Sequence, residues 1–205
     1  MRNRPPFDTL HEECGVFGIY GDLETPPAQA VYYGLYALQH RGQESCGIAD
    51  SDQGVLSVHR AMGLVSEVFD EGVLASLPGQ AAIGHVRYST AGGSLVQNCQ
   101  PLLMRYVKGR LAIAHNGNLT NAETVREELA GGGAIFQTTI DSEVIAHVIA
   151  QERIAAGSVE QAVVRMMGRI RGAYSLLVMS PQKLVAARDP FLSLIHISEP
   201  TRQAE

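Results

Sequence analysis

Apolar positions along the chain follow two alternating rhythms. Residues 16–20 form a short apolar run with the spacing of a strand. Thr25 and Pro26 then carry a helix-start signature, a capping side chain followed by proline at the first helical position. Val31, Leu35 and Leu38 share one face of that helix, which ends before Gly42. Residues 46–49 and 55–59 read as two strands joined by turn residues 50–54, and 81–88 as another strand. Residues 102–107 and 111–115 predict a hairpin around Lys108 and Gly109.

The second half turns helical. Thr120-x-x-Glu123 has capping-box spacing and opens a helix that the glycine run 131–133 stops. Asp141 and Ser142 open the next, with Val144, Ile145, Val148 and Ile149 on one face. Ser158-x-x-Gln161 opens a third, whose core face is Val163, Met166, Met167 and Ile170. Residues 173–179 and 183–187 close as two strands around Ser180 and Pro181. There is no internal repeat and no linker. The pattern predicts one mixed α+β domain, with hairpin strands and helices segregated.

Composition narrows the class. The 205 residues are 45% hydrophobic and 18% charged, enough for a sizeable core and unlike a disordered chain. The formal net charge of −5, with no long basic cluster, argues against a nucleic-acid face. No apolar run approaches the ~18 residues of a membrane span. The leader MRNRPPFDTLHEE lacks the apolar stretch of a secretory signal, so the expected home is the cytoplasm. Cys14, Cys46 and Cys99 are odd in number and widely spaced, which suits neither a disulfide framework nor a zinc site. Buried free thiols are the ordinary reading of such cysteines.

Five stretches carry chemistry: CGVFGIYG (14–21), LQHRGQESCGIA (38–49), GHVRYSTAG (84–92), HNGNLTN (115–121) and TIDSE (139–143). Each alone is weak; in this order they are specific. Together they resemble the class II glutamine amidotransferase domain, and within that group the amino-terminal half of the amidophosphoribosyltransferases of purine synthesis. The resemblance covers residues 14–190. It implies a four-layer αββα sandwich of the amino-terminal-nucleophile (Ntn) hydrolase type, and L-glutamine as substrate.

Hydrolysis of a side-chain amide needs a nucleophile, a base, an oxyanion site and grips for the amino-acid end. A thiol attacks as thiolate, so a base must stand near it. Were Cys14 the first residue of the mature chain, its own α-amine, titrating at about 7.7–8.0, would serve. Residues 1–13 are then expected to be a propeptide cut between Glu13 and Cys14, as the resemblance also implies. It further implies an oxyanion hole from the Asn116 side chain and the Gly117 N–H, although Asn-Gly after a strand is also a common turn. By the same resemblance Arg87 grips the substrate carboxylate, Thr90 helps nearby, and Asp141 grips the ammonium. A guanidinium fork suits the carboxylate, while Asp141 also suits a helix cap. His85 is read either as a substrate contact or as a structural histidine holding the arginine strand. Arg41 and Gln43 are expected as supporting residues near the pocket, and residues 89–92 as a loop able to close over glutamine.

The resembling enzymes are about twice as long, and their phosphoribosyltransferase half has no counterpart here. Magnesium, and in some members a 4Fe-4S cluster, would belong to the full-length parent, which the resemblance implies is a homo-oligomer; no cofactor is expected in residues 14–190. After ARDP (187–190) the resemblance breaks. FLSLIHISEPTRQAE (191–205) reads as a translated sequencing adapter joined to a truncated reading frame. Two alternatives stay open: the glutaminase domain of another class II amidotransferase, such as glucosamine-6-phosphate synthase, or an unprocessed, inert glutamine-binding fragment.

Overall fold

The computed structural model describes residues 14–21, 24–88 and 95–189. The leader 1–13, the segment 89–94 with Thr90, and the tail 191–205 lie outside the described residues, as do the expectations attached to them.

Eight strands form two antiparallel sheets. The first contains β1 (Gly15–Tyr20), β2 (Ser45–Asp52), β3 (Val55–Met62) and β4 (Ala81–Arg87), in the order β1-β4-β2-β3. The second contains β5 (Leu102–Tyr106), β6 (Gly109–Leu119), β7 (Gly172–Ser180) and β8 (Lys183–Arg188), in sequence order. The sheets stack through small side chains, Ala49, Ala81, Ala112 and Ala114, with Leu56, Ile83 and Met179 filling the gap. Helix α1 (Pro27–Ala37) covers the outer face of the first sheet with Val31 and Leu35, helped by the short α2 (Val65–Val68). A further short helix, α3 (Glu71–Ala75), follows α2. Helices α4 (Ala122–Gly131), α5 (Asp141–Ala155) and α6 (Val159–Met167) cover the second. The layers run helix, sheet, sheet, helix, the αββα sandwich of the Ntn hydrolases.

Most expected elements form, with instructive differences. The α1 start moves by one residue: Pro26 is the cap, Pro27 occupies the first turn, and Thr25 makes no cap. The β2–β3 hairpin is longer than expected and turns at Gln53 and Gly54. Helices α2 and α3 are too short to leave a helical period, and the sequence reading has no counterpart for them. At Ser158 the cap forms, its Oγ accepting the Gln161 N–H at 3.3 Å. At Thr120 it does not: the Thr120 N–H and hydroxyl both donate to the Arg171 carbonyl, at 2.8 and 3.3 Å. A tertiary partner therefore outcompetes the local cap, and Asn121 becomes the residue before α4. Asn116-Gly117 is no turn, because β6 runs through it and pairs both residues with β7.

Helix α5 anchors the second sheet's outer layer. Val144, Ile145, Val148 and Ile149 are all fully buried against it. Replacing Ile145 by alanine should cost about 2–5 kcal/mol. Ile154, on the same helix but 63% exposed, should tolerate alanine within ~0.5 kcal/mol. Urea denaturation of the two variants checks the difference.

Candidate active site

The head of β1 and the tail of β6 come together at one end of the sandwich. Cys14 precedes β1 with φ of 58°, a left-handed backbone that a non-glycine residue keeps only when its surroundings impose it. Arg41 supplies that constraint. Its carbonyl accepts the Cys14 N–H at 2.9 Å, and its Nε donates to the Cys14 carbonyl at 2.8 Å. The Cys14 thiol lies 3.6 Å from the Tyr88 carbonyl oxygen.

A pocket opens beside the thiol. Cys14, Arg87, Tyr88, Gln100, His115, Gly117, Asn118, Ile140, Asp141 and Ser142 line it. Arg87 ends β4 and is 3% exposed; its Nη1 pairs with Glu44 Oε1 at 2.7 Å. Asp141 is the first residue of α5. It caps no helix N–H; its Oδ2 accepts the Leu119 N–H at 2.8 Å. Burial pushes its carboxyl up, against the pull of that N–H and of the Arg126 charge. Gly117 has φ of 140°, and a Cβ there would sit 2.1 Å from the Ala173 carbonyl, so no other residue fits without moving β7. Asn116 is not part of the pocket wall. Strand alternation puts its side chain on the face of Ala112 and Ala114, toward the sheet that carries Cys14.

Asp141 is held in place from three sides. The Glu143 carboxylate accepts the Gln137 and Thr138 N–H groups at 2.8 and 2.7 Å. Asn98 exchanges hydrogen bonds with Thr139. Arg126 donates to the Thr138 and Ile140 carbonyls at 3.1 Å each. The loop entering α5 is thereby fixed before its first carboxylate.

Gln43 departs from the sequence reading, His85 has the placement of its structural alternative, and Cys46 and Cys99 are the buried free thiols expected. Gln43 is exposed and absent from the pocket wall; its neighbour Glu44 holds Arg87 instead. His85 is fully buried behind the pocket, with Nε2 3.0 Å from the His115 carbonyl. Only a protonated Nε2 can make that bond. Gln100 and Ser142 enter the wall unforeseen. The Gln100-Pro101 pair just before a strand is the sole local hint for Gln100. Cys46 and Cys99 are free and buried, and burial with the nearby Cys99 pushes the Cys46 thiol up to about 12. Among the described residues no group of three or more His, Cys, Asp or Glu is placed to hold a metal ion, and no helix is long and apolar enough to cross a membrane.

Cys14 at the head of a strand, in an αββα sandwich with a carboxylate and a guanidinium in its pocket, is the arrangement that the resemblance to an amidotransferase domain of the Ntn class implies. The chain belongs to the glutamine amidotransferase domain family, which matches residues 85–194. It is 47% identical over 182 residues to the amidophosphoribosyltransferase of Bacillus subtilis, covering 88% of this chain and 37% of that protein. To the amidophosphoribosyltransferase of Methanocaldococcus jannaschii it is 46% identical over 178 residues, covering 87% and 38%. The solved B. subtilis glutamine phosphoribosylpyrophosphate amidotransferase, complexed with ADP and GMP, matches with a TM-score of 0.77 at 44% identity, over 85% of this chain and 37% of that one. A structure described as the allosteric regulatory enzyme of purine biosynthesis matches with a TM-score of 0.78 at 46% identity, over the same shares. The chain spans less than two fifths of the length of these relatives.

Burial pulls down both His85, behind the pocket, from 6.5 to about 3, and His115, in its wall, to about 4. His85 Nδ1 and His115 Nε2 have no partner, as suits neutral rings. Above pH 6.5 both are neutral in either state and contribute no pH dependence. Below it the unfolded chain takes up protons that the fold refuses, so stability falls as pH drops from 6.5 toward about 4. Each ring contributes up to about 1.4 kcal/mol per pH unit. The urea midpoint should fall between pH 7 and pH 5, while NMR of the two imidazoles shows them still neutral at pH 5.

Proposed function

We propose that residues 14–190 form a glutaminase domain that hydrolyses glutamine to glutamate and ammonia through a thioester on Cys14. The observation carrying this reading is Cys14 itself. It is held in a left-handed conformation at the head of β1 by its N–H bond to the Arg41 carbonyl and by the Arg41 Nε bond to its own carbonyl, with its thiol in a pocket walled by Arg87, Gly117 and Asp141.

The chemistry requires that residues 1–13 be removed, because the Cys14 nitrogen is an amide until then and takes no proton. Once free, the α-amine accepts the thiol proton as Sγ adds to the amide carbon of glutamine. The carbonyl electron pair becomes an oxyanion, received by the Asn116 side chain and the Gly117 N–H. Collapse of this adduct expels the amide nitrogen, which leaves as ammonia with the proton from the α-ammonium. Water then attacks the thioester, its proton returns through the amine to Sγ, and glutamate departs. Arg87 meets the substrate carboxylate, joined by Thr90. Asp141 meets the ammonium, whose charge favours the ionised form that burial opposes. Arg41 supports the nucleophile, and His85 acts through the strand rather than on glutamine.

In a full-length parent of the relatives' size, the ammonia would displace pyrophosphate from phosphoribosyl pyrophosphate, the first committed step of purine synthesis. Magnesium and any 4Fe-4S cluster would belong to the remaining length of that parent, which would be a homo-oligomer.

A chain expressed from Met-Cys14, with its initiator methionine removed, should release ammonia from glutamine, and a mass spectrum of the whole chain should show loss of residues 1–13. A glutamine-like chloroketone should label Cys14 and spare Cys46 and Cys99; labelling at either of those instead would refute the assignment. Asn116→Ala should lower kcat by on the order of 10²–10³-fold. Arg87→Ala and Asp141→Ala should mainly raise KM, since they hold ends of glutamine that do not change in the reaction.

A further inference from the structure

We propose that Gln100 is a positioning residue for the oxyanion segment of β6, an inference that rests on the glutaminase reading above. Strands β5 and β6 pair with Met104 opposite Leu111 and Leu102 opposite Ile113. Continued by two residues, this register puts position 100 opposite His115. Alternation along an antiparallel ladder turns the His115 N–H and C=O toward β5, like those of Leu111 and Ile113. The β5 backbone does not fill that rung. The strand begins only at Leu102, and the Gln100 carbonyl lies over Gly47 instead, where a Cβ would come within 2.3 Å of it.

The Gln100 side chain takes the place of the missing peptide. Its Oε1 accepts the His115 N–H at 2.8 Å, and its Nε2 donates to the His115 carbonyl at 3.2 Å. One carboxamide thus supplies both bonds of a hydrogen-bonded strand pair. It is 5% exposed, and it lines the pocket. His85 Nε2 approaches the same carbonyl at 3.0 Å from the other sheet.

The next two residues are Asn116 and Gly117. Tyr174, opposite Gly117, donates its N–H to the Asp189 carboxylate at 2.8 Å, and its carbonyl accepts the Asp189 N–H at 3.1 Å. The Gly117 N–H is therefore directed to the β5 side, beyond the last rung of the ladder. The Gln100 amide is that last rung. It sets where the two oxyanion donors stand without touching the reacting atoms itself, and such donors act only when aimed at the developing charge.

The test compares Gln100→Met, which keeps length and burial but loses both bonds, with the parent protein, each as the full chain with its leader removed. Four quantities are read: kcat, KM for glutamine, the rate of Cys14 alkylation by iodoacetamide, and affinity for the γ-aldehyde analogue of glutamine, whose thiol adduct carries the oxyanion. Gln100→Met should lower kcat by about tenfold or more and weaken the aldehyde in proportion. KM and alkylation should stay within about threefold. If the substitution unfolds the chain, Gln100→Glu, which keeps the acceptor and loses the donor, is read the same way. An unchanged kcat overturns the inference, as does a parallel fall in alkylation, which would assign Gln100 to the nucleophile or the fold. A parent chain that neither hydrolyses glutamine nor forms the aldehyde adduct overturns the glutaminase reading, and this inference with it.

Discussion

Two sheets lie face to face because the side chains between them are small. Ala49 and Ala81 from one sheet meet Ala112 and Ala114 from the other, and packed sheets settle about 10 Å apart. That contact decides which strand ends become neighbours. Cys14 leads into the first sheet and the 115–118 segment belongs to the second, so neither sheet alone contains the pocket. Larger residues at these alanines would separate the sheets and pull Cys14 away from the end of β6, even with every site residue retained.

Polar bonds then convert a greasy contact into a defined geometry. The His85 ring on β4 reaches across the sheets to the His115 carbonyl, and Ser51 on β2 reaches the Pro181 carbonyl near the opposite end at 2.8 Å. Each of these buried groups would be costly if left without a partner. Inside a low-dielectric core their bonds are correspondingly specific. The Arg87–Glu44 pair follows the same logic. A guanidinium 3% exposed is tolerable because a carboxylate faces it, and that partner also fixes the direction of the fork. The site is built from constrained strand ends and a strapped loop, the pre-organisation that a hydrolytic centre requires.

Local patterns were readable wherever the stabilising partner lies close in sequence. Helix α6 announces itself through the Ser158 cap and an apolar face of Val163 and Met166, all within one short segment. The β7–β8 hairpin and the glycine stop of α4 are equally local. The reading fell short where a distant group intervened: Arg171 draws Thr120 away from its cap, and pairing with β7 carries the strand read as ending at residue 115 on through Asn116 and Gly117. Within the site, Cys14, Arg87 and Asp141 were recognisable because their side chains carry chemistry and stand in distinctive stretches. Glu44 and Gln100 were not, since a glutamate and a glutamine mean little until their partners are known.

The sequence by itself determined the apolar faces, the breaks between elements and the supply of reactive side chains, because those depend on period, turn chemistry and residue type. Only the tertiary structure decided which side chains meet. The partner of Gln100 follows from β-strand register, and that of Arg87 from the pairing of residue 45 with residue 87. Both arise from contacts far apart along the chain, where each bond depends on the packing of two whole sheets and no local preference can encode it.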